Sequence, residues 1–183
     1  NIDNLINSAA DYLKSIRSLK DYKHGEFESS FYSALIITNQ YNSLSKLIKG
    51  EEKKNLLFSN KELTLFSFVS KVNSGKVLEL NDIIEIDLVL SQLNPLDSFI
   101  YKILGQVLKA VYYLNSNEMT NAYDSFRNAT EISGLAGYKI IEVKLMKNLS
   151  NALLKLGEKT KSIECRIFAE QLTRKSGFSY DLF

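Results

Sequence analysis

Apolar residues recur at intervals of three and four along most of the chain. These intervals predict helices at about 2–20, 26–48, 56–72, 81–93, 96–114, 119–133, 138–156 and 159–175. Short polar or glycine-containing segments separate these stretches, which is typical of antiparallel helical hairpins. The sequence therefore predicts an all-α protein of about eight antiparallel helices.

Two of the predicted helices need separate arguments. Residues 81–93 are rich in β-branched side chains and would also suit a strand, but helices on both sides favour a helix. Asn81 and Asp82 are expected to cap it, and Asn94-Pro95 is expected to end it. The helix at 56–72, capped by Ser59 or Asn60, has almost no polar face, so we expect it to lie centrally.

Length and composition indicate one globular domain of ordinary type. Of 183 residues, 45% are apolar and 24% are charged, which suits a packed core. We expect residues 1–94 to supply N-terminal helices and residues 95–183 to form a stack of hairpins. Cys165 is the single cysteine, which excludes an intramolecular disulfide and a thiolate metal site, so we interpret it as a packing residue.

A spaced set of residues repeats in the C-terminal half. The set is Tyr113, Ala122, Phe126 and Ala129, followed forty residues later by Leu153, Ser162, Arg166 and Ala169. Small side chains at fixed positions allow two antiparallel helices to approach closely, and large ones fill the space beside them. The pattern therefore predicts two related helix-turn-helix units.

This pattern resembles the tetratricopeptide repeat (TPR) family, over residues 103–176. The resemblance implies stacked helical hairpins that act as a protein-binding scaffold. The chain departs from the family because its spacing is 40 residues instead of about 34, which requires longer helices or an enlarged Gly134 to Gly137 loop. Arg166 also replaces a large apolar residue. Residues 1–94 contain no convincing third unit, so the N-terminal helices are expected to cover the stack.

One helix face is the candidate partner-binding site. The residues concerned are Lys144, Lys147, Asn148, Asn151 and Lys155. They lie opposite an apolar face made of Leu145, Met146, Leu149, Ala152 and Leu153. One interpretation is the solvated side of an amphipathic helix, and the other is a basic strip that binds a protein or peptide.

The family resemblance implies that this strip lies on the concave, ligand-facing side. Some TPR proteins hold a partner's terminal carboxylate with lysine and asparagine four residues apart, and Lys147 and Asn151 have that spacing. The preceding helix offers valine and leucine at the matching places, so we expect no complete carboxylate clamp. Gly157, between the last two predicted helices, is expected to be a left-handed cap.

Other chemistry is sparsely represented in the sequence. A net charge of +2 gives no basis for predicting nucleic-acid binding, although residues 139–175 hold nine basic and four acidic residues. His24 is expected to be a surface residue, and the acidic residues of 79–97 are interpreted as helix caps and solvated charges. The sequence contains no phosphate-binding loop, metal-binding His/Glu pair or nucleophile elbow. We therefore expect neither an enzyme nor a cofactor or metal.

The sequence supports two main hypotheses of function. The first is a non-enzymatic module that binds a protein or peptide partner. An acidic partner would suit the basic strip. The alternative is a peptide-sensing helical domain of a transcriptional regulator, with the DNA-binding part elsewhere; an enzyme with an unfamiliar active site is the third hypothesis.

No segment is apolar enough to span a membrane. Since the chain starts at Asn1, we expect that an N-terminal piece was removed, with a signal peptide or lipid anchor as candidates. The abundance of Asn, Lys, Ile and Ser, with no Trp, suggests a low-GC bacterial gene. Together with the expected loss of an N-terminal piece, this suggests a bacterial cell envelope or periplasm, and the cytoplasm is the alternative.

Overall fold

The computed structural model describes residues 60–93 and 99–177, together with Ser8, Ala9, Asp11, Tyr12 and Ser15. Those five residues are all helical and belong to the first predicted helix. The predicted helix at 26–48, His24, Ser59 and Asn94-Pro95 lie outside the described residues. The described ranges contain helices and connections and no strand, so the all-α class is confirmed for them. The count of eight helices stays a prediction.

Six helices account for most of the described residues. They are α1 Asn60–Asn73, α2 Leu80–Gln92, α3 Phe99–Asn115, α4 Met119–Leu135, α5 Lys139–Lys155 and α6 Lys159–Ser176. The chain divides into two compact units, residues 1–73 and 74–183. Helix α2, which the sequence predicts to be one of the N-terminal helices, therefore belongs to the second unit. That the whole chain forms one domain stays a prediction.

Helix α1 belongs to the first unit and is strongly buried. Leu65 and Phe66 are inaccessible to solvent, and Phe68 and Val69 are buried as well. This burial agrees with the nearly continuous apolar sequence of the helix. The chain then turns through Gly75, whose φ of 78° is the left-handed conformation that glycine adopts without strain.

Helix α2 begins the second unit and settles the choice between strand and helix. It begins at Leu80, so the predicted cap at Asn81 and Asp82 is wrong by about two residues. Asp82 lies inside the first turn, where its carboxylate accepts a 2.6 Å hydrogen bond from the backbone N–H of Glu79. The helix is possible despite its β-branched residues because Ile83, Ile86 and Val89 share one buried face.

Helix α2 packs against α3 through one apolar and one charged contact. Gly105 on α3 is buried beneath Leu90, and a Cβ atom at this glycine would lie 2.6 Å from Leu90 Cδ2. Lys109 Nζ lies 2.7 Å from Asp87 Oδ1 on the neighbouring helix. The missing side chain at position 105 therefore allows the two helices to approach closely.

The last four helices follow a regular 20-residue register. They begin at residues 99, 119, 139 and 159, and the residues with positive φ are Asn117, Gly137, Gly157 and Gly177. Three residues connect each helix to the next, and each helix packs mainly on its neighbours in the sequence. Short connections of this kind join antiparallel helices. Residues 99–176 therefore form an antiparallel series of four helices.

The three connections of this series use the same hydrogen bonds. In the third, the N–H of Glu158 donates to the carbonyl of Leu153 at 2.9 Å, and the N–H of Gly157 donates to Leu154 at 3.1 Å. This pair of bonds is the Schellman motif, in which a left-handed residue ends the helix. Gly157 has φ 82°, so its predicted role as a left-handed cap is confirmed.

The 40-residue spacing results from long helices. The sequence left open an enlarged loop between Gly134 and Gly137, but α4 continues to Leu135 and only residues 136–138 connect it to α5. The prediction that both glycines frame a loop is therefore wrong. Gly134 is helical, and a Cβ atom there would lie 3.2 Å from the Glu142 carboxylate of α5. Gly134 thus makes room for a buried acidic side chain.

The small residues of the repeated set are buried as their spacing predicts. The buried small residues are Ala122 and Ala129, and forty residues later Ser162 and Ala169; Ala110 and Ser150, also forty residues apart, are a further buried pair of small residues. Ser150 Oγ lies 2.9 Å from Ser162 Oγ and donates to the Ser162 carbonyl at 3.0 Å. The hydroxyls therefore satisfy one another where the first unit has alanines.

Candidate functional site

Helix α5 carries the five residues that the sequence singles out, and its two faces differ as predicted. Leu145, Leu149, Ala152 and Leu153 are buried, and Met146 is half-buried. The buried residues recur every three or four positions, so one side of the helix packs against α4 and α6. The opposite side is left for solvent or a partner.

The five candidate residues fall into two groups by burial. Asn148, Asn151 and Lys155 are exposed, whereas Lys144 and Lys147 are half-buried. Partial burial lowers the pKa of the Lys144 ammonium group, because an ammonium loses solvation when water is excluded. The more C-terminal part of the helix therefore offers its polar groups most openly.

A groove of about 350 Å³ lies beside this exposed part of α5. Its lining residues are Leu114, Phe126, Asn148, Asn151, Ala152, Leu154 and Lys155. Three consecutive helices contribute, because Leu114 comes from α3, Phe126 from α4 and the other five from α5. A volume of this order lies near the lower end of roughly 300–1,000 Å³ for ligand sites.

The local structure explains how these residues come together. Leu114 is in the last turn of α3, beside the left-handed residue Asn117 that reverses the chain into α4. Phe126, with only 3% of its surface exposed, occupies the middle of α4, and Ala129 and Ala122 on the same helix are fully buried. Because the helices repeat every 20 residues and alternate in direction, α3 and α5 run the same way and their C-terminal ends lie side by side.

The structure brings together three of the five candidate residues. Asn148, Asn151 and Lys155 line the groove, and Lys144 and Lys147 are not among its lining residues. Asn148, Asn151 and Lys155 lie at intervals of three and four, so their side chains form one row along α5. Of Lys147 and Asn151, the pair with clamp-like spacing, only Asn151 lines this groove.

Sequence reasoning missed the apolar part of the groove. The spacing assigns Leu114 and Phe126 to inner faces, which describes burial but not that they border an accessible space. Leu154 is about half exposed and follows the buried Leu153, so it projects toward the groove instead of the core. One feature of the sequence does indicate an apolar binding surface here: Leu154 is an apolar residue on the polar side of the helix.

The lining chemistry combines apolar contact with hydrogen bonding and positive charge. The two asparagine amides both donate and accept hydrogen bonds, and Lys155 adds an ammonium group. The lining residues include no histidine, cysteine or acidic residue. From Lys144 to Lys155 there is likewise no acidic residue, so the local charge is positive. The groove therefore combines an apolar lining with hydrogen-bonding groups and one positive charge.

Three further observations concern possible metal ligands, Cys165 and Arg166 in the described ranges. The described residues contain no group of three or more His, Cys, Asp or Glu side chains that could hold a metal ion. Cys165 is half-buried, as expected of a packing residue, and burial raises the pKa of its thiol, with a smaller contribution from Glu164. Arg166 is exposed, and its Nε donates a 3.2 Å hydrogen bond to Ser150 Oγ.

Comparisons with known proteins add no relative to this description. Protein-family models, curated proteins and solved structures give no match to the chain. None of the helices in the described ranges has the length and apolar character needed to cross a membrane. The functional interpretation therefore depends on the groove and on the repeated pattern.

Proposed function

We propose that this chain is a non-enzymatic interaction module whose groove binds a peptide segment of a protein partner. The observation that carries the proposal is the groove itself. Three helices build its apolar lining, and its polar rim consists of Asn148, Asn151 and Lys155. An apolar base with a few directional polar groups is the usual composition of a binding site.

The resemblance to TPR proteins supports the same proposal. The chain has helical hairpins, small buried residues at the repeated positions and a spacing of 40 residues. The last four helices share one register, as expected of a repeat array in which each hairpin packs on its neighbours. We propose that these helices form a TPR-like stack and that α5 presents its polar strip on the ligand-facing side.

The groove favours a partner of particular chemistry. Leu114 and Leu154, the more exposed apolar lining residues, would contact an apolar anchor side chain, which supplies most of the affinity in a peptide interface of this size. Asn148 and Asn151 would bind the peptide backbone, whose N–H and C=O groups match the two halves of an amide. Lys155 would attract an acidic residue of the peptide.

A random peptide library displayed on phage tests this function with the complete 183-residue chain as bait. The library is selected against the original chain and counter-selected against the Asn148→Ala/Asn151→Ala/Lys155→Ala variant. We expect recovered peptides to contain an apolar residue next to acidic residues. Loss of several hydrogen bonds and one charge should weaken their binding at least about tenfold, as fluorescence anisotropy measures.

A matched control uses basic residues on the neighbouring helix. The Lys159→Ala/Lys161→Ala variant removes two exposed charges from α6 that do not line the groove. Peptides that bind this variant and the original chain equally, but not the groove variant, support the proposal. Peptides that bind all three proteins with the same affinity would contradict it.

The length of the helices favours a second candidate function. Helices of 17 residues make a repeat of 40 residues, and such long units would suit the peptide-sensing domain of a transcriptional regulator. The coding sequence upstream of Asn1 distinguishes the two candidates. A helix-turn-helix domain there would favour the regulator, whereas an apolar signal sequence would favour an interaction module of a bacterial cell envelope.

A further inference from the structure

Two leucines at equivalent positions of parallel helices line the groove. Leu114 on α3 and Leu154 on α5 are forty residues apart, and each is one residue before the end of its helix. Leu114 is half-buried and Leu154 exposes 48% of its surface, whereas Phe126 and Ala152 are almost completely buried. The two leucines are therefore the apolar lining residues that a ligand side chain reaches most easily.

The turns that end α3 and α5 hold the backbone of both leucines in the same way. The N–H of Asn117 donates to the carbonyl of Leu114 at 3.3 Å, and the N–H of Gly157 donates to the carbonyl of Leu154 at 3.1 Å. Both bonds are the same member of the Schellman motif, and both donors have positive φ. Because the backbones are held alike, the width of the groove here depends on the side-chain volumes at positions 114 and 154.

The base of the groove is part of the protein core. Phe126 and Ala152 expose only 3% and 2% of their surfaces, and close packing resists any change in their volume. Helices α3 and α5 pack mainly on α4, which carries Phe126, so open space is left between their C-terminal ends. The depth of the groove is therefore fixed, and the exposed Leu154 side chain is its most adjustable apolar part.

The size of the groove limits the ligand group that can enter it. Its volume of about 350 Å³ is roughly twice that of a cavity of about 150 Å³ that holds one benzene molecule. The groove therefore has room for one large side chain with the short piece of backbone that carries it. A helix, with a diameter of about 10–12 Å, is too wide to enter.

We propose that the groove selects a single large apolar side chain of the leucine, methionine or phenylalanine class, and that Leu154 sets the upper limit of its size. This inference rests on the peptide-binding function proposed above. A larger residue at position 154 narrows the groove and excludes large anchors. A smaller residue widens the groove and removes contacts from anchors of medium size.

A series of anchor substitutions tests the proposal. A peptide recovered from the library is synthesised with Ala, Val, Leu, Phe or Trp at its apolar position, and fluorescence anisotropy measures its affinity for the complete chain. We expect the Leu and Phe peptides to bind best. The Ala peptide should bind at least about tenfold more weakly than the Leu peptide, because each CH₂ group lost from a buried side chain lowers affinity about fourfold.

Two variants of Leu154 should change this order in opposite directions. Leu154→Phe should weaken the Phe and Trp peptides at least about tenfold and the Val peptide much less, because the added ring occupies the space of a large anchor. Leu154→Ala should bind the Trp peptide better than the Leu peptide. The side chain is about half exposed, so the circular dichroism and the thermal midpoint of both variants should match those of the original chain.

Leu156 provides a matched control in the same turn. It exposes 38% of its surface and does not line the groove, so Leu156→Ala should keep the original order of anchors. An order that is the same in the original chain and in both Leu154 variants would overturn the proposal. So would a Leu156→Ala variant that changes the order as Leu154→Ala does.

The Asn148→Ala/Asn151→Ala/Lys155→Ala variant separates this inference from the function on which it rests. Peptides that lose affinity for that variant but rank the anchors identically in both Leu154 variants would support peptide binding in the groove and reject the role of Leu154. Peptides that are indifferent to the substitutions at 148, 151 and 155 and at 154, or the absence of any binding peptide, would reject both.

Discussion

Ser150 Oγ accepts a 3.2 Å hydrogen bond from the Nε of Arg166, whereas forty residues earlier the same two positions hold Ala110 and Phe126. In the first unit the phenylalanine is buried and lines the groove formed by α3, α4 and α5. In the second unit the arginine is exposed and connects α6 to α5 through the paired hydroxyls of Ser150 and Ser162. The two units therefore use different interactions at matching positions.

The Ser150–Ser162 pair predicts a non-additive pair of mutations. Ser150→Ala should lower the free energy of unfolding by about 0.5–1.5 kcal/mol, because the buried Ser162 hydroxyl loses its partner. The double variant Ser150→Ala/Ser162→Ala recreates the alanine pair of the first unit and should cost less than the sum of the single changes. Urea unfolding followed by circular dichroism measures each value. Strict additivity would contradict the coupling.

The close approach of Leu90 to Gly105 predicts that Gly105→Ala is destabilising in the original chain and stabilising when Leu90 is truncated. Gly105→Ala in the original chain should lower stability by up to about 2 kcal/mol, because overpacking exceeds the gain in helix propensity. In a Leu90→Ala background the same substitution should raise stability by up to about 1 kcal/mol. Thermal and urea unfolding of the four proteins test this expectation. A loss of equal size in both backgrounds would show that Leu90 is not the obstacle.

The left-handed turns predict a ranking among substitutions. Gly137→Ala and Gly157→Ala should each lower the free energy of unfolding by about 1–2 kcal/mol, because both glycines have positive φ. A Cβ atom at either position would contact no neighbour, so backbone strain is the cause. Asn117 has φ 60° at the equivalent turn, so Asn117→Gly should be neutral or slightly stabilising. Equilibrium unfolding checks the order. A destabilising Asn117→Gly would indicate that the asparagine side chain has a further role.

Cys165 predicts a shifted pH profile for thiol alkylation. Burial raises the pKa of the thiol, and the nearby Glu164 carboxylate raises it further. The rate of reaction with iodoacetamide should therefore reach its midpoint at a higher pH than that of the urea-unfolded chain. Glu164→Gln should lower this midpoint, whereas Glu170→Gln, on another side of α6, should not. An unchanged midpoint in the Glu164 variant would contradict the electrostatic contribution.

Sequence periodicity was sufficient to predict the helices but not all their ends. Spacing of apolar residues identified every helix in the described ranges, because an amphipathic helix leaves a period of 3.6 in its sequence. The predicted start of α2 is about two residues too late, because an acidic residue near a helix start favours a cap, whereas the Asp82 carboxylate acts from inside the first turn. The loop predicted at Gly134 is wrong because glycine near a helix end suits either side of the boundary.

The groove was only half predictable. Asn148, Asn151 and Lys155 could be named because polar residues opposite an apolar face form a visible strip. The contributions of Leu114 and Phe126 depend on how α3 and α4 stack beside α5, and a single sequence does not encode that distance in its spacing. Lys144 and Lys147 belong to the same strip by sequence, but they are half-buried and do not line the groove.

The most direct test of the account is to locate the bound peptide by nuclear magnetic resonance. A ¹⁵N-labelled sample of the complete chain would be titrated with a peptide selected from the library. We expect chemical-shift changes at Leu114, Phe126 and residues 148–155, with the α2 amides unaffected. Saturable binding whose shifts are confined to other helices, with no change at Asn148, Asn151 or Lys155, would contradict the proposal that this groove is the binding site.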